Sequence, residues 1–157
     1  MNAPLPREIA PTASDSARIL SDVTRAWDSG ILPELKKYIE VPAKSPAFDA
    51  DWAAHGHIDT VLRNAAQWVE AQKVAGLRLE VIRLPGRTPV LFFEVDATRA
   101  ASEGSGQTVL MYGHLDKQPE FNGWRNDLGP WTPVYEDGKL YGRGGADDGY
   151  AVYASMA

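Results

Sequence analysis

Two stretches decide the reading of this chain: Thr108-Val109-Leu110-Met111-Tyr112-Gly113-His114-Leu115-Asp116 and, further on, Gly142-Arg143-Gly144-Gly145-Ala146-Asp147-Asp148. The first opens as an uninterrupted apolar run, the pattern of a central strand covered on both faces. It ends in an imidazole and a carboxylate. In open α/β sheets, ligands gather beyond the carboxyl ends of such strands, so His114 and Asp116 stand where a site is expected. If the backbone stays extended there, these two side chains project to one side and Leu115 to the other, into the core. A metal-bound imidazole needs its second nitrogen held by an acceptor, a task that suits a carboxylate two residues away. Taken alone, the His-x-Asp pair reads more simply as a buried hydrogen bond without a metal.

The segment Thr132 to Tyr141 has the pattern of a hairpin turning at Asp137-Gly138, which returns the chain beside His114. The return strand delivers the second stretch, whose glycines open a backbone path closed to residues with side chains. Asp147 and Asp148 then stand at the start of a helix through Tyr150-Ala151-Val152-Tyr153-Ala154. One Asp could equally cap that helix while the other favours its dipole. Phosphate binding is the poorer reading: the Lys-Ser/Thr pair of a P-loop is missing, and Gly142-x-Gly144-x-x-Asp147 lacks the third glycine of a dinucleotide fingerprint.

Outward from these stretches, Ala17, Ile19, Leu20, Val23 and Trp27 recur at helical spacing, with Ser14 or Ser16 to cap the start and Gly30 to end the helix. Leu32 to Ile39 suits a second helix entered through Pro33. A third begins near Asp59, with Val61, Leu62, Ala65, Trp68 and Val69 on one face. Leu77 to Arg83 alternates as a half-buried strand, Val90 to Val95 reads as a more deeply buried one, and 97–107 as a loop. Residues 1–14, with three prolines, read as a flexible extension, and 15–157 as one domain or part of one. The expected fold class is α/β, with helices packed on a mixed β-sheet.

The chain has 157 residues, 44% of them hydrophobic, enough for one ordinary core. Its 16 basic and 21 acidic side chains give a net charge of −5 without a basic run, which argues against a nucleic-acid or anionic-membrane partner. With no cysteine, disulfides, thiolate zinc sites and cysteine nucleophiles are excluded, and any metal must be held by His and carboxylate. Neither a secretory signal nor a membrane span is evident, so a cytoplasmic protein is expected. His55 and His57 form a His-x-His pair ahead of the third helix. Without a carboxylate cluster beside them, they read as surface or capping histidines.

Gly113-His114-Leu115-Asp116-x-Gln118-Pro119, then Gly123-Trp124, then Asp137-Gly138-Lys139-Leu140-Tyr141-Gly142-Arg143-Gly144-x-x-Asp147-Asp148 closely resembles the M20 family of metallopeptidases, particularly carnosinase-like dipeptidases and related carboxypeptidases. The resemblance implies the N-terminal part of a catalytic domain that holds two zinc ions, with Mn2+ or Co2+ as possible substitutes. It also implies a smaller inserted domain that commonly mediates dimerisation. By position, His114 is the implied ligand of one zinc, Asp147 the bridging carboxylate, and Asp116 the catalytic-site residue that steers the imidazole. Asp148 is then a neighbour rather than a ligand.

The chain departs from the family pattern in three places. It has Gly149-Tyr150 where Lys-Gly is usual and Lys117 where Val is usual, and the stretch from Trp124 to Pro130 is slightly long. These changes lie beside the implied metal site and bear on substrate preference. The family's Glu-Glu pair, which supplies the general base and a further ligand, belongs downstream of the matched region, so the 157-residue chain alone is expected to be inactive. The resemblance implies hydrolysis of dipeptides or short peptides. An N-acyl amino acid deacylase using the same site, and a non-catalytic binding protein on the same fold, are the rival expectations.

Overall fold

The computed structural model describes residues 12–97 and 108–157. Most of the 1–14 segment and of the 97–107 loop therefore lies outside the described residues. Helix α1 (Ala13–Ala26) is capped by Thr12 rather than by Ser14 or Ser16. The Thr12 hydroxyl accepts from the Asp15 amide at 3.2 Å, and the Thr12 amide donates back to the Asp15 carboxylate at 3.3 Å. The two bonds form a reciprocal capping box. Gly30 does not end the helix; a single π-helical turn (Trp27–Ile31) carries the chain directly into α2 (Leu32–Glu40). Pro33 has no N–H to offer the carbonyl four residues back, so a plain α-helical ladder cannot run through this junction.

After α2, a short α3 (Trp52–His55) turns through Gly56, at φ 70°, into α4 (His57–Ala71). The left-handed turn at Gly56 starts α4 slightly ahead of Asp59. Its buried residues, Ile58, Val61, Leu62, Ala65, Ala66 and Val69, follow the i, i+3, i+4 rhythm of one helical face. That face and α2 build the core. Tyr38, Ile39, Ala43, Ile58 and Val61 form one buried cluster, and Ile31, Leu35 and Tyr153 form another. Trp68 meets Tyr153 edge-on, with ring centroids 5.1 Å apart. Helix α1 buries no residue.

The α/β class holds, but among the described residues the strands form two separate antiparallel pairs rather than one mixed sheet. Strand β1 (Leu77–Ile82) pairs with β2 (Val90–Val95), from Leu77 opposite Val95 to Ile82 opposite Val90. Strand β3 (Val134–Glu136) pairs with β4 (Lys139–Tyr141) across Asp137 (φ 49°) and Gly138 (φ 74°). Two successive positive φ values are what a two-residue type I′ hairpin requires.

Residues 108–112 do not form the expected central strand: they make no ladder, and Val109 and Leu110 are 84% and 89% exposed. A central strand needs a partner on each side for its N–H and C=O groups, and the four described strands are paired with one another. For the same reason β2 is not deeply buried. A two-stranded ribbon has no neighbouring strands to cover it, and Val90, Phe92 and Val95 are exposed. No helix among the described residues is long and apolar enough to cross a membrane.

Candidate metal centre

Both motif stretches rest on the C-terminal end of α2. The Lys117 amide donates to the Ala43 carbonyl at 2.8 Å, and the Ser45 amide donates to the Lys117 carbonyl at 2.9 Å. These bonds tie the segment after His114 alongside residues 43–45. The Tyr38 hydroxyl donates to the Leu115 carbonyl at 3.1 Å. Leu115 itself packs against the Tyr38–Ile39 cluster, the inward projection expected of the residue between His114 and Asp116.

The second stretch arrives over the same floor. The Arg143 amide donates to Pro130 at 2.7 Å, and its guanidinium Nε donates to the Pro119 carbonyl at 2.9 Å, so Arg143 bridges the two arms. Gly144 takes φ 87°, and a Cβ there would stand 2.8 Å from Lys117 Cγ. A Cβ on Gly149 would stand 2.1 Å from Tyr38 Cε1, so no larger residue fits between this turn and α2 as they are packed. Helix α5 (Tyr150–Ala154) follows with Gly149 as its N-cap and no side-chain capping bond. Capping by Asp147 or Asp148 is therefore not what these residues do. Asp147 instead adopts a non-helical conformation (φ −128°, ψ 88°).

The packing brings Asp147 Oδ1 to 3.3 Å from His114 Nε2. On the far side of the ring, Nδ1 lies 3.0 Å from the Asp116 carbonyl oxygen and 3.3 Å from its carboxylate Oδ1. Asp116 meets the imidazole with its backbone carbonyl as the closer partner, where the sequence pointed to its carboxylate. A carbonyl oxygen can only accept, so this bond places a proton on Nδ1, and in the neutral ring Nε2 then carries the lone pair. Two electron-rich atoms, Nε2 and the Asp147 carboxylate, then face one another. A cation between them suits the neutral ring, whereas in the protonated ring Nε2–H donates to Asp147. Two ligands ~2.0–2.1 Å from one tetrahedral zinc lie roughly 3.3 Å apart, which is the separation found. The donor pair fits a metal ion, and about a third of the His114 side chain and most of the Asp147 side chain are open to solvent. Among the described residues, no group of three or more His, Asp or Glu is placed to hold a metal.

The negative charge gathered here reaches α2. Burial pushes the Tyr38 hydroxyl far above its usual range, and the nearby Tyr153, Asp116, Asp147 and Asp148 add to the effect. His55 and His57 belong elsewhere. They line a separate cleft of about 290 Å3 with Pro42, Lys44, Asp49, Glu120 and Trp131, to which neither His114 nor Asp147 contributes. His55 Nδ1 pairs with Asp49 Oδ2 at 2.8 Å, the surface role the sequence suggested.

Sequence reasoning missed the function of Lys117, which is 1% exposed. Its ammonium donates to the carbonyls of Tyr38 (2.5 Å), Val41 (2.6 Å) and Ile39 (3.3 Å) and lies over the rings of Tyr38 and Trp131. Burial pushes its pKa down to about 7, and the carbonyl dipoles and ring faces oppose that shift by favouring the charged form. The available signal was a lysine standing in an otherwise apolar position of the motif.

Residues 110–157 match the sequence profile of peptidase family M20/M25/M40. The chain is 36% identical over 95 residues to a Beta-Ala-His dipeptidase of Mus musculus, a match covering 59% of this chain and 18% of that protein. It is 36% identical over 84 residues to the Homo sapiens Beta-Ala-His dipeptidase, covering 52% and 16%. A succinyl-diaminopimelate desuccinylase of Acinetobacter baumannii (strain ACICU) is 31% identical over 99 residues, covering 62% and 24%. The chain thus spans about a fifth of the length of the curated relatives it matches. The stretch that holds His114, Asp116 and Asp147 is similar to peptidase family M20/M25/M40, and the relatives it matches include dipeptidases and a desuccinylase.

Proposed function

We infer that this chain supplies His114 and Asp147 as ligands, and Asp116 as the residue orienting His114, in a two-zinc site that hydrolyses the amide bond of dipeptides or short peptides. The observation that carries the reading is the 3.3 Å approach of His114 Nε2 to Asp147 Oδ1, with Nδ1 engaged by Asp116 on the opposite edge of the ring. When bound, a pair of zinc ions lowers the pKa of a shared water and polarises the scissile carbonyl. The chain's own residues prepare for this. Asp116 keeps the proton on Nδ1, so that Nε2 is free to bind. Asp147 presents a carboxylate whose two oxygens can reach two ions, and the packing of Gly149 against Tyr38 holds that carboxylate over the imidazole.

The dipeptidase names among the relatives support the peptide reading. The desuccinylase relative supports a second one, hydrolysis of an N-acyl amino acid by the same residues. Assaying the full-length protein against dipeptides and N-succinyl or N-acetyl amino acids separates them. The account predicts turnover of dipeptides that a chelator abolishes and zinc restores. Turnover confined to acyl amino acids would favour the second reading. A full-length protein that retains no metal and hydrolyses neither would contradict both, and would favour a non-catalytic protein on this fold.

A further inference from the structure

The Lys117 side chain touches both the end of α2 and the turn that carries Asp147. Its ammonium binds three carbonyls at the end of α2, and its aliphatic stem lies against Gly144, at the start of the turn that carries Asp147. Its backbone is bonded on both sides to residues 43–45, and the residue before it presents the carbonyl that meets His114 Nδ1. We propose that Lys117 is a positioning residue for the His114 imidazole, its ammonium pinning the Leu115–Lys117 segment to α2 so that the Asp116 carbonyl holds Nδ1. The proposal deepens the reading of His114 as a ligand and rests on it.

The geometry explains why a charged side chain suits this buried place. The last carbonyls of a helix are the negative end of its dipole, and an ammonium makes several short bonds to them at once. An apolar side chain of similar length would fill the space beside Gly144 but would leave the segment tied to α2 only through the Tyr38–Leu115 bond and the backbone bridge. The segment could then rock about that bridge, moving the Asp116 carbonyl relative to the ring.

The test reads the ring-nitrogen signals of His114 by 15N NMR from pH 6 to 8 with chelator present, so that the range includes pH values at which the ammonium is held and the result does not depend on zinc. His55 and His57 serve as internal controls. In the parent protein His114 is held as the Nδ1–H tautomer. In Lys117→Cys the ratio of Nδ1–H to Nε2–H is expected to fall about five-fold, the equivalent of one ordinary hydrogen bond, while His55 and His57 do not change. Because the chain has no cysteine of its own, the new thiol can be aminoethylated in denaturant and the protein refolded. Regaining the ammonium is expected to restore the ratio.

An unchanged ratio in folded Lys117→Cys, or a ratio that stays low after aminoethylation, would show that Lys117 is only a filler of the core and would overturn the proposal. If Lys117→Cys does not fold, Lys117→Met decides the matter. It keeps an aliphatic stem beside Gly144 and removes only the ammonium, so a lowered ratio supports the clamp and an unchanged one overturns it. Loss of zinc binding with the tautomer intact would count against the metal reading and leave the clamp standing.

Discussion

At the scale of single residues, the site is built on which atom of each side chain does the work. Asp116 reaches His114 most closely through its backbone carbonyl, which survives substitution of the side chain. Asp116→Asn in the full-length protein is therefore expected to weaken zinc binding by about ten-fold, the low end of what loss of an orienting partner costs. A competition titration against a calibrated chelator measures it, and a hundred-fold loss would mean that the carboxylate carries the orientation. His55 and Asp49 make a separate prediction. Their contact raises the pKa of His55 and lowers that of Asp49. A raised His pKa contributes stability that is complete below the unfolded value of 6.5 and lost as pH climbs through the folded value. A lowered Asp pKa contributes stability present above 3.8 and lost as pH falls through the folded value. The stability difference between the parent and His55→Asn is thus expected to be largest near pH 5–6 and to vanish by about pH 9, as thermal melts across that range would report. With the His55 side chain half exposed, the effect is small at every pH.

At the scale of elements, helix α4 was the most legible, because its apolar face repeats at a helical period that a sequence displays directly. The hairpin of β3 and β4 was legible through Asp137-Gly138, since few residue pairs accept two positive φ values in succession. The junction of α1 and α2 was not: Gly30 looks like a stop signal, and only the missing N–H of Pro33 accounts for the π-helical turn that joins the two helices. Nor was the isolation of 108–112, because an apolar run announces a wish for burial without saying which strands lie on either side. The packing sorts the helices by energetic weight. Leu35 on α2 is 1% exposed, whereas Leu20 on α1 is 68% exposed. Leu35→Ala is expected to destabilise by about 2–5 kcal/mol through loss of buried area and the cavity left behind. Leu20→Ala should stay within about 0.5 kcal/mol, as surface changes do. Denaturant titration of both variants checks the contrast, and equal losses would mean that α1 is covered in the working protein.

At the scale of the whole molecule, the chain is a set of helices that carries two loops to one place. His114 and Asp116 stood out by residue type and spacing, Asp147 only through the resemblance to the M20 family, and the structure brings all three together. What spacing did not disclose is the support beneath them. Tyr38 and Lys117 are 79 residues apart in sequence, and no local pattern links a tyrosine near a helix end to a lysine beside a metal motif. The glycine at 144 was read as freedom of the backbone, and it proves also to be a clearance for Lys117, as Gly149 is for Tyr38. The central claim is that His114 and Asp147 share one metal ion. Crystals of the full-length, zinc-loaded protein, measured on both sides of the zinc absorption edge, test it most directly. The account predicts an anomalous peak ~2.0–2.2 Å from both His114 Nε2 and an Asp147 carboxylate oxygen, with Nδ1 still on the Asp116 carbonyl. Zinc bound away from this pair, with Nε2 donating a proton to Asp147, would contradict it.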